Sequence, residues 1–476
     1  MDALILSRLQ FAFTIAWHII FPSFTIGLAS YLAVLEGLWL LTRREAFKTL
    51  YLFWLKIFAL SFGMGVVSGV VMSYQFGANW SAFTVKAAPV IGPLLAYEVL
   101  TAFFLEASFL GVMLFGWKKV GPRLHFLATC MVAVGTLISA FWIISANSWM
   151  QYPTGHVVAP DGRFIAQDWF KVVFSPSFPV RFAHMVLAAY LSTALVVGAA
   201  SAWQLLRRPG QEESRIAIRM AIGMFALVAS LQLAVGDMAG KLLRDLQPTK
   251  LAAVEAFWET RAEQPFHILA WPNRERQGND FEFSIPKIGS WITAGETTAE
   301  LEGLKAFPRR DQPPVAIVFW AFRIMVGLGL SMIALGLWGA FLWWRRRIER
   351  TKPFLWATVL MGPAGFVAVI AGWTVAEVGR QPYTVYGLLR TADSVSPIAA
   401  GSVSASLIAF LIVYAVVFSV GALYILRLIA EGPVPGAAEP RPPERRPPGW
   451  SLGAAPDHDP NAPVPPRGAS PDGGRP

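Results

Sequence analysis

The sequence is poor in charged residues and in cysteine, and each shortage excludes a class of protein. Charged residues make up 15% of the 476 residues, whereas soluble domains carry about 25%. Hydrophobic residues make up 55%, which is typical of a polytopic membrane protein. The single cysteine, Cys130, excludes an intrachain disulfide. No CxxC or CxxCH motif is present, which argues against zinc, iron–sulfur and covalently attached c-type haem sites.

The net charge of +10 does not indicate a nucleic-acid partner, because no nucleic-acid-binding motif accompanies it. In a membrane protein an excess of Lys and Arg instead reflects basic loops on the cytoplasmic side. The first apolar run, from Phe11, is too long for a cleavable signal peptide and lacks a basic lead.

Nine hydrophobic stretches are long enough to cross a hydrocarbon core of about 30 Å. They lie near residues 10–41, 52–75, 94–117, 124–147, 182–206, 217–237, 314–344, 354–378 and 403–428. Basic clusters follow the first, third, fifth and seventh stretches, so the positive-inside rule sets the orientation. The sequence therefore predicts an all-α polytopic membrane protein of nine transmembrane helices, with its N-terminus outside and its C-terminus cytoplasmic.

The sequence predicts a transmembrane domain over residues 1–431 and a tail after it. Within the transmembrane domain, residues 238–313 form the longest loop, which we place outside. Residues 432–476 are rich in Pro, Gly and Arg, and we expect a disordered cytoplasmic tail there. No internal repeat is visible, which argues against an inverted-repeat transporter.

Seven unusual side chains, in or at the ends of the spans, fall in one layer near the predicted outer face. They are His18, Glu98, His184, Arg323, Met325, Glu377 and Arg380. His, Met and carboxylate are axial-ligand types for haem iron, and a guanidinium pairs with haem propionates. Each residue alone has a simpler explanation, since a His or Met can serve packing and Glu377 and Arg380 can pair with each other. The shared layer favours a haem site.

Glu98 and Glu106 form a second pattern in the third span. With Ala102 between them they follow an i, i+4, i+8 row about 12 Å long. A carboxylate this deep must be protonated or hydrogen-bonded. The pair is typical of a proton relay, and two buried structural acids remain the alternative.

Several motifs together resemble subunit I of the cytochrome bd-type ubiquinol oxidases, over essentially all nine spans. They are SRLQFAFTIAWHIIFP at 7–22, FGANWS at 76–81, YEVLTAFFLEASF at 97–109, ANSWMQ at 146–151, AHMV at 183–186, KLAAVEAFWET at 250–260, AFRIMV at 321–326 and AEVGRQPY at 376–383. The set is highly specific, although no single motif would suffice.

The resemblance implies a role for each matching residue. His184 and Met325 look like the axial ligands of a low-spin haem b, with Arg323 close to it. His18 looks like an axial ligand in the oxygen-reactive pair, Glu98 like the carboxylate beside or bound to the oxygen-reducing haem, and Glu377 like the ligand of a high-spin haem b. The remaining matches are Arg380 as propionate support, Trp373 as an aromatic among the haems, Glu106 as the proton-path acid with Ser139 as a polar neighbour, and Lys250 with Glu255 as the quinol-binding pair.

The implied activity is quinol oxidation at the outer face and reduction of O2 to water with cytoplasmic protons. This separates charge without a pump. The implied cofactors are a low-spin haem b, a high-spin haem b and haem d, or a further haem b in its place. The implied partner is subunit II, in a heterodimer that can include a small single-span subunit. The implied location is the bacterial cytoplasmic (inner) membrane.

Two departures concern the haem type. The family's usual GRQPW is GRQPY here, so Tyr383 replaces a Trp, and the 238–313 loop lacks the long insertion of some members. The short loop resembles the cyanide-insensitive branch, in which a haem-b-only enzyme is an alternative. Two other functions stay open: a di-haem quinone-linked electron-transfer protein, and a transporter that uses the two glutamates for proton coupling.

Overall fold

The computed structural model describes residues 2–436, and nine helical segments in this range are long and apolar enough to span a membrane. The prediction of an all-α, nine-span protein is confirmed. The helices are α1 (Ala3–Thr42), α2 (Glu45–Ala78), α3 (Ser81–Glu98), α4 (Phe104–Phe115), α5 (Pro122–Gln151), α6 (Trp169–Val173), α7 (Phe178–Arg207), α8 (Glu212–Leu246), α9 (Pro248–Glu255), α10 (Ile288–Ala294), α11 (Val315–Trp344), α12 (Lys352–Leu360), α13 (Ala364–Val378) and α14 (Ala400–Glu431).

Three of the spans are composite. A π-helical turn, Val99–Phe103, joins α3 to α4 into one span, α6 leads into α7, and α12 continues into α13 across Met361–Pro363. The third span starts at Ser81, well before the predicted residue 94, because the helix continues through Pro89 and Pro93. Lys86, which falls between the second and third predicted spans, therefore lies in a helix.

The loops contain short strands that the hydrophobic pattern does not predict. Four two-stranded antiparallel sheets pair β1 (His156–Val158) with β2 (Phe164–Ala166), β3 (Arg261–Ala262) with β6 (Glu300–Leu301), β4 (Phe266–Asn273) with β5 (Gly278–Ile285), and β7 (Tyr383–Val385) with β8 (Leu389–Arg390). The long loop is also shorter than the predicted 238–313, because α8 continues to Leu246. An ion pair between Lys241 and Asp237, 2.7 Å apart and one turn apart on the helix, stabilises that extension.

Successive spans alternate in direction, so the basic clusters lie at one end of the bundle. We call this end the basic face; it carries the α1–α2, α4–α5, α7–α8 and α11–α12 junctions. The other end, the loop face, carries all four small sheets. The assignment of the basic face to the cytoplasm remains a prediction.

The bundle is built around a core shared by α1, α2, α5, α7 and α8. α7 packs against α8 and α13, and α11 packs against the same two helices. A second apolar cluster holds α9 against the start of α11 and so fixes the loop segment to the membrane helices. The helix α14 ends at Glu431; apart from residues 432–436, the predicted disordered tail lies outside the described residues.

Candidate functional site

Glu377, near the loop-face end of α13, is held by three donors. Its Oε1 accepts hydrogen bonds from Asn147 Nδ2 and Gln151 Nε2, both at 3.0 Å, and its Oε2 pairs with Arg380. Arg380 follows the last turn of α13 and is 5% exposed. The pairing of Glu377 with Arg380, which the sequence offered as the simpler explanation of these two residues, is thus present within a larger network contributed by α5.

Gln151 extends this network to the loop segment. Its side-chain Oε1 accepts a hydrogen bond from Lys250 Nζ at 2.6 Å, and its backbone carbonyl accepts one from Gln247 Nε2 at 2.7 Å. Since the amide donates to Glu377 and accepts from Lys250, a single side chain joins these two candidate residues. The residue Gly379 allows the approach, because a β-carbon there would lie 2.9 Å from Lys250 Cγ.

Positive charge is concentrated around Lys250. Arg181, on α7, donates to Asn147 Oδ1, so it reaches the same network from the opposite side. Burial holds the pKa of the Lys250 ammonium well below its usual range, and the cations Arg181 and Arg380 lower it further while Glu377 opposes them. Lys250 therefore releases a proton more readily than an exposed lysine.

Glu255, five residues after Lys250 on α9, belongs to a second cluster. Its Oε2 accepts a 2.7 Å hydrogen bond from Arg323 Nη2 in a buried ion pair. Arg323 Nε also donates to the backbone carbonyl of His267, whose ring Nδ1 contacts the carbonyl of Glu255 at 2.8 Å. α9, β4 and α11 are thereby connected at one point.

His184 and Met325 lie on α7 and α11, the two helices that both pack against α8 and α13. The His184 Nε2 atom contacts Gln232 Nε2 of α8 at 3.1 Å. Each candidate ligand faces a glycine: a β-carbon would lie 3.4 Å from His184 Cε1 at Gly236, and 3.0 Å from Met325 Sδ at Gly372. Trp373, the next residue on α13, is half-buried.

His18 on α1 has a similar arrangement with α2. Its Nδ1 lies 2.9 Å from Ser68 Oγ, and the same hydroxyl lies 2.9 Å from the Gly65 carbonyl. Because the hydroxyl donates its one proton to the carbonyl, it accepts from His18 Nδ1–H, which leaves Nε2 with a free lone pair. Gly69 provides room, since a β-carbon there would lie 3.3 Å from His18 Cε1.

Glu98 and Glu106 both face α5. Glu98 Oε1 accepts a 2.7 Å hydrogen bond from Ser139, and a β-carbon at Gly135 would lie 2.6 Å from Glu106 Cγ. In an uninterrupted α-helix eight residues leave the two side chains about 80° apart. The π-helical turn between them absorbs about one residue and brings both acids to the same side.

Tyr383, which replaces the expected Trp, donates from its hydroxyl to Asp311 Oδ1 at 3.2 Å. Asp311 also pairs with Arg390 of β8. Burial and the Asp311 carboxylate raise the pKa of the Tyr383 phenol. The tyrosine thus closes a polar contact at the loop face.

Several polar atoms around these clusters are buried and lack a hydrogen-bond partner, and three arginines are prominent among them. The atoms are Glu106 Oε1, Arg181 Nη1, His184 Nδ1, Gln232 Oε1, Arg323 Nη1, and Nε and Nη1 of Arg380. Unpaired buried donors are costly and rare in proteins, so donors of this kind indicate an acidic ligand. In the described part of the chain no three His, Cys, Asp or Glu side chains converge on one point, so the candidate ligands do not form a bare-ion site.

Comparison with known proteins identifies the family. The model of the cytochrome bd terminal oxidase subunit I family matches residues 6–433. The chain belongs to this family. It is 34% identical to the cytochrome bd ubiquinol oxidase subunit 1 of Bacillus subtilis (strain 168), covering 90% of this chain and 94% of the relative. It is 32% identical to the cytochrome bd-II ubiquinol oxidase subunit 1 of Escherichia coli (strain K12), covering 90% and 96%.

A solved structure has the same fold. The bd oxidase from Geobacillus thermodenitrificans matches with a TM-score of 0.84 and 27% identity, over 91% of this chain and 99% of that one. Membership of the cytochrome bd terminal oxidase subunit I family and nine apolar helices make this chain a multi-pass protein of the bacterial inner membrane.

Sequence reasoning missed four residues that contact the candidate site. They are Ser68, Arg181, Gln232 and His267, which contact candidate residues far away in the sequence. Arg181 had a local signal, because it is a charged residue directly before the predicted fifth span and only three positions before His184. The other three are ordinary residue types whose partners emerge only in the folded chain.

Proposed function

We propose that this chain is the haem-carrying subunit of a terminal quinol oxidase. It oxidises membrane quinol at the outer face and reduces O2 to water with protons drawn from the cytoplasm. The observation that carries the proposal is the Lys250–Gln151–Glu377 hydrogen-bonded line, which joins the candidate quinol segment to a buried candidate iron ligand. The printed names of two relatives, both ubiquinol oxidase subunits, support the choice of substrate.

The candidate ligands would hold three haems. His184 and Met325 would hold a low-spin haem b, and Glu377 a high-spin haem b. His18, with Glu98 beside the same group, would hold haem d or a further haem b. When bound, the haems supply the electron path from quinol and the place where oxygen is reduced.

Other residues near the candidate ligands would orient the haems. The unpaired donors of Arg181, Arg323 and Arg380 suit haem propionates, because guanidinium and carboxylate form paired hydrogen bonds. Ser68 leaves His18 Nε2 free to act as a ligand. Trp373 would pack among the haems.

Lys250 and Glu255 would bind quinol and take up its protons. Each quinol gives two electrons and two protons, so two quinols supply the four electrons that convert one O2 and four protons to two waters. The lowered pKa of Lys250 suits a group that passes protons on to the outer water.

Protons for oxygen reduction would travel past Glu106 to Glu98. Both acids face α5, and Ser139 holds the outer one. Protons released outside and consumed from inside generate a proton-motive force without a pump. The basic face is cytoplasmic in this proposal.

The oxygen-reducing site would hold either haem d or a second high-spin haem b. The short loop favours the cyanide-insensitive branch, in which a second high-spin haem b takes the place of haem d. The Tyr383–Asp311 hydrogen bond ties the GRQPY segment to the loop face, so the aromatic exchange is compatible with an intact site.

The chain would assemble with subunit II as a heterodimer, with or without a small single-span subunit. The helix α14 supports a partner subunit, because only 17% of its most apolar stretch is buried within this chain. Residues 1–431 would be the haem domain, with its quinol loop near 238–313, and 432–476 a disordered tail.

The test is oxygen uptake by the purified complex with a reduced quinol as donor, with and without cyanide. The proposal expects quinol-dependent oxygen consumption, cyanide-resistant in the haem-b-only form. Haem reduction by quinol without oxygen consumption would instead support a di-haem electron-transfer protein. A haem-free protein that moves a solute would support a transporter.

A further inference from the structure

A buried ion pair near the basic face is unused by the function proposed above. Glu36 of α1 and His125 of α5 are each 1% exposed, and Glu36 Oε1 lies 2.6 Å from His125 Nδ1. Glu36 is six residues before the end of α1, and His125 is in the first turn of α5. The pair is therefore about 10 Å or less from the ends of both helices.

The surrounding hydrogen bonds determine where the protons are. His125 Nε2 lies 3.1 Å from the Met113 carbonyl, which can only accept, so Nε2 carries a hydrogen. Nδ1 faces a carboxylate oxygen at 2.6 Å, and two lone pairs cannot approach so closely without a proton between them. Glu36 and His125 therefore share one exchangeable proton.

Two hydroxyls point at the same carboxylate. Thr129 Oγ1 donates to Glu36 Oε2 at 2.6 Å, and Tyr51 OH lies 3.1 Å from Thr129 Oγ1. Because Thr129 gives its proton to Glu36, Tyr51 donates to Thr129. Both carboxylate oxygens of Glu36 are thus hydrogen-bonded.

The pair lies on the same helix seam as the two acids of the third span. Along the contact between the third span (α3 and α4) and α5, His125 meets Met113, Gly135 meets Glu106, and Ser139 meets the Glu98 carboxylate. Met113 follows Glu106 by seven residues on α4, two helical turns or about 10 Å. Three titratable sites are therefore arranged in order from the basic face to the loop face.

The ring of Trp117 covers the pair on the basic-face side. It lies 4.1 Å from the His125 ring, and Lys48 Nζ lies 4.9 Å from the Trp117 ring centre. Trp117 and Lys48 are both only partly buried, so the ring that contacts His125 also reaches the protein surface. A buried ion pair contributes little stability compared with apolar packing, which leaves its presence here to be explained by function.

We infer that Glu36 and His125 form the inner proton-loading site of this chain, from which protons reach Glu106. A proton from water at the basic face replaces each one that leaves the pair for the Glu106 carboxylate, and the pair returns to its original charge. No residue changes its oxidation state. The distance of about 10 Å is crossed along two or three hydrogen-bonded waters. The inference rests on the proposed oxidase function.

The test uses the complete oxidase complex in vesicles and the substitution Glu36→Gln, which keeps the size of the side chain and removes the acid. We expect unchanged haem spectra and an unchanged rate of haem reduction by quinol. Proton uptake during a single turnover with O2, followed with a pH-indicator dye, should slow at least about tenfold. Glu213→Gln is the matched control, since Glu213 is also a buried glutamate near the basic face, on α8.

Wild-type proton-uptake rates in a correctly loaded Glu36→Gln complex would overturn the inference and make the pair structural. If that variant does not assemble, Glu36→Asp and Thr129→Val are measured in its place. Both disturb the 2.6 Å contacts and keep an acid at position 36, and wild-type rates in both would equally overturn the inference. Failure of the wild-type complex to consume oxygen would instead count against the oxidase proposal.

Discussion

At the scale of single residues, Gln151 connects the two halves of the proposed reaction. Its side-chain nitrogen donates a hydrogen bond to Glu377, and its side-chain oxygen accepts one from Lys250. The two charged partners therefore fix the orientation of the amide group. In the sequence Gln151 is the last residue of the ANSWMQ motif, but its partners are 226 and 99 positions away. No local pattern could have paired them.

Gln151→Met should therefore impair two sites together. Met approximates the volume but offers neither hydrogen bond, so Lys250 loses its acceptor and Glu377 loses one donor. Loss of a residue that orients a ligand typically lowers activity about 10- to 100-fold. Steady-state quinol oxidation and the high-spin haem spectrum measured on one sample should both change; a change in neither would contradict the role of Gln151.

Glu255 requires a conservative test, because it is paired with buried Arg323. Glu255→Ala would leave that arginine without its partner and destabilise the fold by about 3–5 kcal/mol. Glu255→Gln keeps an acceptor for Arg323 while removing the charge. We expect slower quinol oxidation with intact haem spectra.

Glu259→Gln is the control for this prediction, since Glu259 is exposed and its carboxylate pairs with Lys305 on the loop surface. A Glu255→Gln variant that loses haem would show that Glu255 is structural.

At the scale of helices and strands, glycines decide how closely the candidate ligands are packed. Gly69, Gly236 and Gly372 each face one of His18, His184 and Met325. The sequence predicted the helices from their apolar runs and a haem site from the shared layer of unusual side chains, and the ligand roles followed from the resemblance to the oxidase family. It did not predict the facing glycines, the π-helical turn or the extension of α8, because these depend on packing between helices.

Gly372→Ala tests this packing, because the added methyl would lie 3.0 Å from Met325 Sδ and must displace it. We expect loss or shift of the low-spin haem band and a lowered haem reduction potential, since thioether ligation raises the potential. Gly329→Ala on α11 is the control, because a β-carbon there meets no atom within 4 Å. An unchanged spectrum in Gly372→Ala would argue against Met325 as a ligand.

At the scale of the whole molecule, the sequence predicted the number of spans from apolar stretches and their orientation from the positions of Lys and Arg. Nine spans were predictable because apolar stretches of this length have few other uses. The small sheets of the loop face were not, since two- to eight-residue strands leave no clear alternation in a mixed-charge loop. The orientation follows only from the positive-inside rule and has a direct test.

Cysteine labelling distinguishes the two orientations. In a Cys130→Ser background, Thr298→Cys at the loop face should react with a membrane-impermeant maleimide on intact cells. Thr42→Cys at the basic face should react only after permeabilisation. Both positions are exposed, so accessibility of the side chain does not limit either reaction. The reverse pattern would invert the proposed direction of proton uptake.

The central claim, that this chain carries the haems of a quinol oxidase, is tested most directly by a reduced-minus-oxidised spectrum of the co-purified complex with haem extraction from the same sample. The account predicts b-type bands, with or without a red-shifted chlorin band that identifies haem d. Loss of the low-spin band in a Met325→Leu complex would tie that haem to this chain. A complex without haem would contradict the account.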